Sequence, residues 1–326
     1  MHLPTPPPLA LALLALPALA LSSSCSSYAP LPSGSFNVTI PVGSSNRTFE
    51  LFTPWSEFEC DGYCVGPPRD PRPVVINWHG CNAHVPVVAY QEQVSRVEQS
   101  AADYGWYAIT PVGAREKGID QFGWNTYGIK CGSVFEDDFD FFDKLLEYME
   151  NELCADMSRV YSTGFSTGGF HSNALGCSRA SKLAGIAPVA GSIGKLYTSS
   201  CDEGEGLDVV SFHSEDDKTV PYNGNFEWHS QPEVTKLWED RNGCDLLDIP
   251  RITHLSATTR CTQRSCANGT VEDCTLIGLD HCWPGGRSGG FETPGSCKPQ
   301  RGDVDATAHM FAFWEERWQA KQSERA

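Results

Sequence analysis

Short apolar runs alternate along the chain with segments of helical periodicity. Near-continuous apolar runs, which are typical of strands covered on both faces, lie at residues 73–78, 106–110, 159–163, 185–190 and 208–213. Apolar side chains recur at steps of three and four in residues 87–104 and 134–153, which predicts amphipathic helices. Further helices are predicted at residues 170–181, 232–242 and 305–321. This alternation predicts an α/β fold with a mostly parallel sheet and right-handed crossovers.

The remaining segments predict the borders of this sheet and its loops. Residues 36–40 and 47–52 alternate apolar with polar side chains and predict an antiparallel hairpin at the sheet edge. Residues 112–133 form a long glycine-rich loop whose aromatic side chains either line a substrate crevice or pack beneath the loop. Residues 243–273 contain three cysteines and predict disulfide-linked irregular structure around short strands, before a final strand at 271–279.

Length and charge narrow the possible classes of protein. A chain of 326 residues with 40% hydrophobic content can bury one large core, and no internal repeat divides it. The net charge of −17 argues against partners that carry negative charge, namely nucleic acids and anionic membranes. We therefore expect one acidic, soluble domain.

The amino-terminal residues indicate the compartment. Residues 9–21 form a leucine- and alanine-rich run that ends in Ala18-Leu19-Ala20, a pattern typical of a cleavage site. The run is too short to span a bilayer. We therefore expect a signal peptide at residues 1–20, followed by a single domain at residues 21–326.

The cysteines and the glycosylation sequons agree with secretion. The 14 cysteines are an even number, and a secreted chain favours their pairing as disulfides, although spacing alone does not give the connectivity. Asn37, Asn46 and Asn268 each begin an N-x-S/T sequon and are candidate glycosylation sites. Together with the leader, these features predict an extracellular protein.

One motif carries the chemistry. Gly164-Phe165-Ser166-Thr167-Gly168 fits the G-x-S-x-G nucleophile elbow, in which a serine occupies a sharp turn between a strand and a helix. The motif alone is weak, because any glycine-rich loop can produce it. Here an apolar run precedes it and a proline-free segment follows it, which is the expected setting. The serine would then lie at the carboxyl end of the sheet, next to a helix amino terminus that favours negative charge.

A serine hydroxyl needs a base, and the base needs an orienting acid. In this fold class the three residues follow in the order serine, acid, histidine. Asp217 follows a predicted strand and His281 follows the last one, which completes this order. From the pattern alone, Asp216 rivals Asp217 as the acid. The other histidines lack the setting of a strand followed by glycine.

The oxyanion hole is expected where Trp78-His79-Gly80-Cys81 leaves an early strand. The backbone amides of Cys81 and Thr167 are the predicted donors. A metal site at His79, Cys81 and His84 is the alternative, but a secreted cysteine is more often oxidised than bound to metal. His79, Trp124 and Trp283 adjoin these segments and are predicted to contact substrate.

With these segments together, the chain resembles the secreted polyhydroxybutyrate depolymerase-like and feruloyl or acetylxylan esterases of the α/β-hydrolase superfamily. The resemblance runs from about Pro73 to Gly286 and rests on several segments. They are Trp78-His79-Gly80-Cys81, Gly164-Phe165-Ser166-Thr167-Gly168-Gly169, Ile186-Ala187-Pro188-Val189-Ala190-Gly191, the acid loop from His213 to Tyr222, and His281-Cys282-Trp283-Pro284-Gly285-Gly286. It implies Ser166 as nucleophile, Asp217 as acid and His281 as base.

The resemblance also implies an activity. We expect a secreted serine esterase that removes feruloyl or acetyl groups from cell-wall polysaccharide and needs neither cofactor nor metal. An extracellular poly(3-hydroxyalkanoate) depolymerase is the alternative within the family. A non-catalytic binding protein on the same scaffold is the alternative from another class, since a fold does not fix a function.

Overall fold

The structure, a computed structural model, describes residues 25–29, 31–54, 70–81, 86–115, 121–126, 131, 136–201, 205–245, 247–286 and 304–325. The expected signal peptide therefore lies outside the described residues. The helices are α1 (Val87–Ser95), α2 (Val97–Tyr104), α3 (Asp138–Glu152), α4 (Thr167–Arg179), α5 (Gln231–Asn242) and α6 (Ala306–Arg325). The strands are β1 (Gly34–Val42), β2 (Ser45–Thr53), β3 (Arg72–Trp78), β4 (Tyr107–Pro111), β5 (Ala114–Arg115), β6 (Phe122–Gly123), β7 (Ala155–Phe165), β8 (Gly185–Val189), β9 (Asp208–Ser214), β10 (Arg251–His254), β11 (Thr259–Cys266) and β12 (Gly269–Leu276).

Ten of these strands form one mixed sheet. Its order is β1-β2-β4-β3-β7-β8-β9-β12-β11-β10, while β5 and β6 pair separately. The six strands from β4 to β12 run parallel, and an antiparallel pair borders them on each side. The hairpin at the sheet edge and the parallel centre are as predicted. The carboxyl ends of β7, β9 and β12 lie along one edge, which is where ligands bind in such sheets.

Helices cover both faces of the sheet, as two buried clusters show. One cluster joins α3, α4 and α5 to the sheet through Phe142, Leu175 and Trp238. The other joins α2 and α6 to the opposite face through Ala101 and Trp314. The aromatic stripe of α3 is therefore core, as its spacing predicted. Within the described residues, no helix has both the length and the apolarity needed to cross a membrane.

Two regions differ from the prediction. The helix predicted at residues 87–104 is divided at Arg96, whose φ of 55° is left-handed and therefore ends α1 before α2 begins. The segment at residues 243–273, predicted as irregular structure around short strands, is more regular than expected and contains the antiparallel strands β10 and β11. Its mixed polar composition arises because these strands lie at the exposed border of the sheet, where one face meets water.

Disulfides connect elements of the sheet, the helices and their loops. The described pairs are Cys25–Cys154, Cys81–Cys131, Cys177–Cys201, Cys244–Cys266 and Cys261–Cys274. Such pairing is typical of oxidising compartments. The candidate glycosylation sites Asn37, Asn46 and Asn268 all have exposed side chains. They are thus accessible to a transferase, and their modification stays a prediction.

Two partly buried glutamates, Glu50 and Glu92, make the stability of the fold depend on pH. Burial raises the pKa of Glu92 to about 8 and that of Glu50 to about 7. The negative charge of the neighbouring Glu98 makes a smaller contribution in the same direction. Between the ordinary pKa of 4.5 and these values, the folded state binds protons that the unfolded chain has released. The free energy of unfolding should therefore fall as the pH rises through this window.

Replacement of Glu92 with glutamine removes one of these ionisations. We expect Glu92→Gln to stabilise the protein by about 1–3 kcal/mol at pH 8, and much less at pH 4.5 where both forms are neutral. Denaturant unfolding at the two pH values measures the difference. Glu150→Gln, at an exposed position, is the control and should have little effect at either pH. Equal effects of Glu92→Gln at both pH values would contradict this explanation.

Candidate active site

Ser166 lies at a strained turn between β7 and α4. Its φ of 55° and ψ of −117° place a non-glycine residue in a region that L-amino acids rarely adopt. Two backbone hydrogen bonds fix the turn: Ser166 N–H donates to the Val189 carbonyl at 2.9 Å, and Phe170 N–H donates to the Ser166 carbonyl at 3.0 Å. This strand, strained serine and helix match the geometry expected of a nucleophile elbow.

The motif glycines allow close approach of the backbone. A Cβ atom on Gly164 would lie 2.5 Å from the Gly168 carbonyl, and one on Gly168 would lie 2.0 Å from the carbonyl oxygen of Trp78. Both contacts are with backbone atoms, which cannot move away as a flexible side chain can. The elbow therefore packs directly against the end of β3, from which the predicted oxyanion segment leaves.

Asp217 and His281 meet beside this turn. His281 Nδ1 lies 2.8 Å from Asp217 Oδ2, although the two residues are 64 positions apart. Asp216, the rival acid, instead accepts a hydrogen bond from the Gly278 amide through Oδ2. The structure thus brings Asp217, and not Asp216, to the histidine ring.

Four contacts orient the Asp217 carboxylate. Oδ1 accepts hydrogen bonds from the amides of Thr219 at 2.9 Å and Val220 at 2.8 Å, while Oδ2 faces two imidazoles, those of His281 and His213. Burial by itself would raise the pKa of the Asp217 carboxyl, but hydrogen bonds from His213 and His281 lower it below its usual value. Asp217 is therefore ionised at neutral pH and suited to orient a base.

The His281 ring lies close to the elbow. Its centroid is 4.9 Å from that of Phe165, the residue before Ser166. Because Nδ1 faces Asp217, Nε2 lies on the opposite side of the ring. Among the described contacts no hydrogen bond joins Ser166 Oγ to this ring. Such bonds are often long without substrate and shorten in the reacting complex.

The segment after β3 lies against Ser166, as the oxyanion prediction requires. A Cβ on Gly80 would be 3.3 Å from the Cβ of Ser166, so the Gly80-Cys81 turn directly adjoins the serine. Thr167 begins α4, and its amide belongs to the first turn of the helix, where N–H groups have no intrahelical acceptor. The disulfide from Cys81 to Cys131 fixes this turn to the following loop. It also makes the Cys81 sulfur unavailable for a metal.

The three side chains predicted to contact substrate require a correction. His79 and Trp124 are 0% exposed and Trp283 is 1% exposed. Trp124 Nε1 donates to the His79 carbonyl at 2.7 Å, and Trp283 Nε1 donates to Thr307 Oγ1 at 2.9 Å. They are too deeply buried to contact substrate in this conformation. They pack beneath the site, which agrees with the alternative that the loop aromatics are core.

His79 is a neutral structural residue. The Gly113 amide donates to His79 Nε2 at 2.9 Å, so the ring proton is on Nδ1, which lies 2.6 Å from the Gly80 carbonyl. Burial lowers the pKa of His79 to about 4. The imidazole therefore fixes the path of the chain just before Cys81.

His213 contacts the acid, although the sequence analysis did not predict it as a site residue. Its Nε2 lies 3.3 Å from Asp217 Oδ2, on a side chain that is 2% exposed. In the sequence, the indication of this contact is that His213 lies only four residues before Asp217, at the end of β9. His229 and His309 instead pair with Glu233 and Glu272. Among the described histidines, His213 and His281 are the two that contact Asp217.

A cleft and a cluster of possible metal ligands lie away from Ser166, Asp217 and His281. A cleft of about 190 Å³ runs along α4 from Phe170, and no residue of the Ser166, Asp217 and His281 group lines it. Cys261, Glu272, Cys274 and His309 lie close enough together to resemble a metal site. However, Cys261 and Cys274 form a disulfide, which removes two of the four ligands.

Known proteins are similar in sequence to part of this chain. No family model matches the chain. A probable feruloyl esterase C of Aspergillus terreus is 33% identical over 110 residues, which cover 33% of this chain and 37% of that protein. Feruloyl esterase D of Neurospora crassa is 28% identical over 212 residues, which cover 64% of this chain and 65% of that protein. The chain thus spans less than two thirds of the length of either relative.

A solved structure shows the same architecture. The acetyl xylan esterase from Aspergillus awamori superposes with a TM-score of 0.56, at 14% identity, over 77% of this chain and 95% of that one. At this identity the likeness establishes the fold. The resemblance expected from the motifs is thereby confirmed: the chain is a sequence relative of feruloyl esterases and has the α/β-hydrolase fold.

Proposed function

We propose that this protein is a serine carboxylic ester hydrolase with Ser166 as nucleophile, His281 as base and Asp217 as the orienting acid. The observation that carries the proposal is the buried pair of Asp217 and His281 beside a serine at a strained elbow. Strain at a non-glycine residue is typical of functional sites, where the surrounding structure stabilises it. The feruloyl esterase relatives point to the same chemistry.

The proposed reaction has two halves. His281 Nε2 takes the hydroxyl proton as Ser166 Oγ bonds to the ester carbon, and then gives that proton to the departing alcohol oxygen. Water attacks the acyl-enzyme in the second half, again with His281 as base, and releases the acid. The amides of Cys81 and Thr167 stabilise the oxyanion in both halves, each worth about 3–4 kcal/mol in comparable enzymes. This scheme uses no cofactor or metal.

The substrate class we propose is a feruloyl or acetyl ester on a cell-wall polysaccharide. Two feruloyl esterases are sequence relatives, and an acetyl xylan esterase has a similar fold. We further propose that one domain at residues 21–326 is secreted after removal of residues 1–20. The described disulfides support an oxidising compartment, and the acidic surface agrees with a soluble extracellular protein.

A comparison of substrates tests this proposal. We expect hydrolysis of methyl ferulate and acetylated xylan, at rates above those on polyhydroxybutyrate granules by at least tenfold. Release of ferulate, acetate and hydroxybutyrate by the purified protein measures the three activities. A preference for the granules would favour the depolymerase alternative. Absence of all three activities, together with an unreactive Ser166, would favour the non-catalytic binding protein.

A further inference from the structure

A second imidazole shares the acid of the proposed triad. The same atom, Asp217 Oδ2, lies 2.8 Å from His281 Nδ1 and 3.3 Å from His213 Nε2. The Asp217 side chain is 0% exposed and that of His213 is 2% exposed, so water does not screen their interaction. The charge on His213 therefore bears directly on the proposed base.

The partners of His213 indicate that both of its ring nitrogens carry protons. Nε2 lies 2.8 Å from the Val220 carbonyl oxygen, which can only accept a hydrogen bond. Nδ1 lies 3.3 Å from Gln231 Oε1, which is likewise an acceptor. A neutral imidazole has a single N–H and would leave one of these close pairs as two acceptors facing each other. An imidazolium satisfies both.

The orientation of the Gln231 amide is set from its other end. Its Nε2 donates to Asp273 Oδ1 at 2.8 Å and to Ser211 Oγ at 3.0 Å. Asp273 is buried beside this amide. Burial raises the pKa of its carboxyl above the ordinary value, although hydrogen bonds from Gln231 and Ser211 act in the opposite direction. With the amide nitrogen turned toward Asp273, the amide oxygen must face His213.

We propose that His213 is a buried imidazolium and a positioning residue for the proposed triad: it fixes the Asp217 carboxylate and disfavours a second positive charge on His281. This inference rests on the proposed function. Protonation of His281 would place two cations against one carboxylate oxygen. The positive charge of His213 therefore disfavours protonation of His281. The neutral form of His281, which a general base requires, is thereby favoured.

The groups that face His213 come from four segments. Asp217 lies in the loop that follows His213, and His281 follows β12. Asp273 lies on β12 behind Gln231 of α5, and the Tyr222 ring centroid is 5.7 Å from that of His213. Burial raises the pKa of Tyr222 to about 12, so it carries no charge in the working range. Asp217, whose pKa is lowered, is therefore the counter-charge in direct contact with the cation.

His213→Gln separates the charge from the hydrogen bond. The glutamine amide can still donate toward Val220 and Asp217 but carries no charge. We expect the acid limb of the kcat/KM profile to move to higher pH by about one pH unit, with the alkaline plateau within about tenfold of the wild type. His309→Gln, which alters a histidine paired with Glu272, is the control and should leave the profile unchanged. A uniform loss at every pH would mean a merely structural role and overturn the proposal.

A spectroscopic measurement tests the charge without relying on activity. Heteronuclear NMR of the imidazole nitrogens should show one histidine with both nitrogens protonated from about pH 5 to 8, and its signals should be absent from His213→Gln. A neutral tautomer at His213 would overturn the inference, because it requires a rotated Gln231 amide and a proton on Asp273 Oδ1. If His213→Gln does not fold, Gln231→Leu provides the assignment, since loss of the acceptor should shift the Nδ1 signal. The charge of His213 is read equally well if Ser166 proves not to be the nucleophile, so the two proposals fail separately.

Discussion

Replacement of Ser166 with alanine is expected to lower kcat for ester hydrolysis by about 10⁴-fold or more, because no acyl-enzyme can form without the nucleophile. The fold should remain. The elbow is fixed by backbone hydrogen bonds to Val189 and from Phe170, and neither uses the serine hydroxyl. Initial rates on methyl ferulate and the midpoint of thermal unfolding measure the two effects.

Ser178→Ala is the matched control for this variant. Ser178 lies on the exposed face of α4, where its hydroxyl donates to the Ala174 carbonyl, and its loss should change kcat less than twofold. If Ser166→Ala kept activity within tenfold of the wild type while Ser178→Ala did the same, another group would have to be the nucleophile.

Replacement of Asp217 with asparagine is expected to lower kcat by about 10³- to 10⁴-fold near neutral pH. The carboxylate orients His281 through Nδ1 and stabilises the imidazolium that forms during the reaction; an amide provides no charge and favours the wrong tautomer. KM should change little, since Asp217 is buried and contacts no substrate in the proposed scheme. Steady-state kinetics with a soluble ester measure both constants.

Asp216→Asn distinguishes the two neighbouring carboxylates. Asp216 accepts a hydrogen bond from the Gly278 amide, and an asparagine oxygen can accept the same bond, so Asp216→Asn should lower kcat by tenfold at most. The opposite ranking, with Asp216→Asn the more damaging variant, would show that the pairing of Asp217 with His281 is not the catalytic one.

Much of the sheet follows from hydrophobic pattern alone. The buried parallel strands β3, β4, β8 and β9 are short apolar runs, because both of their faces are covered by helices. The borders are harder to predict. β11 has a mixed polar pattern because it lies near the exposed end of the sheet. Its register depends on pairing with β12, and the residues of β11 alone do not specify that pairing.

The candidate site, like the sheet, could be predicted from the sequence only in part. The order of serine, acid and histidine can be read from the chain, because each follows a strand that ends at the same edge of the sheet. The choice between Asp216 and Asp217 cannot, since adjacent residues differ only in where the loop points them. Burial of Trp124 and Trp283 was also not predictable, because aromatic residues in a glycine-rich loop either line a crevice or fill the space below it.

His213 illustrates a functional residue that pattern alone does not assign. It lies four positions before Asp217 in the same segment, and the sequence pattern gives it no separate role. Only the contacts of both ring nitrogens with Val220 and Gln231 indicate its charge. Those acceptors come from a loop and a helix whose placement depends on the complete fold.

The most direct measurement of the central claim is covalent labelling with a fluorophosphonate. An activated serine displaces fluoride from phosphorus and remains bonded to the probe, so peptide mass spectrometry identifies the residue. We predict labelling at Ser166, much slower labelling of Asp217→Asn and His281→Gln, and none of Ser166→Ala. An unlabelled wild-type protein, or a label that persists in Ser166→Ala, would contradict the assignment of Ser166, His281 and Asp217 as a catalytic triad.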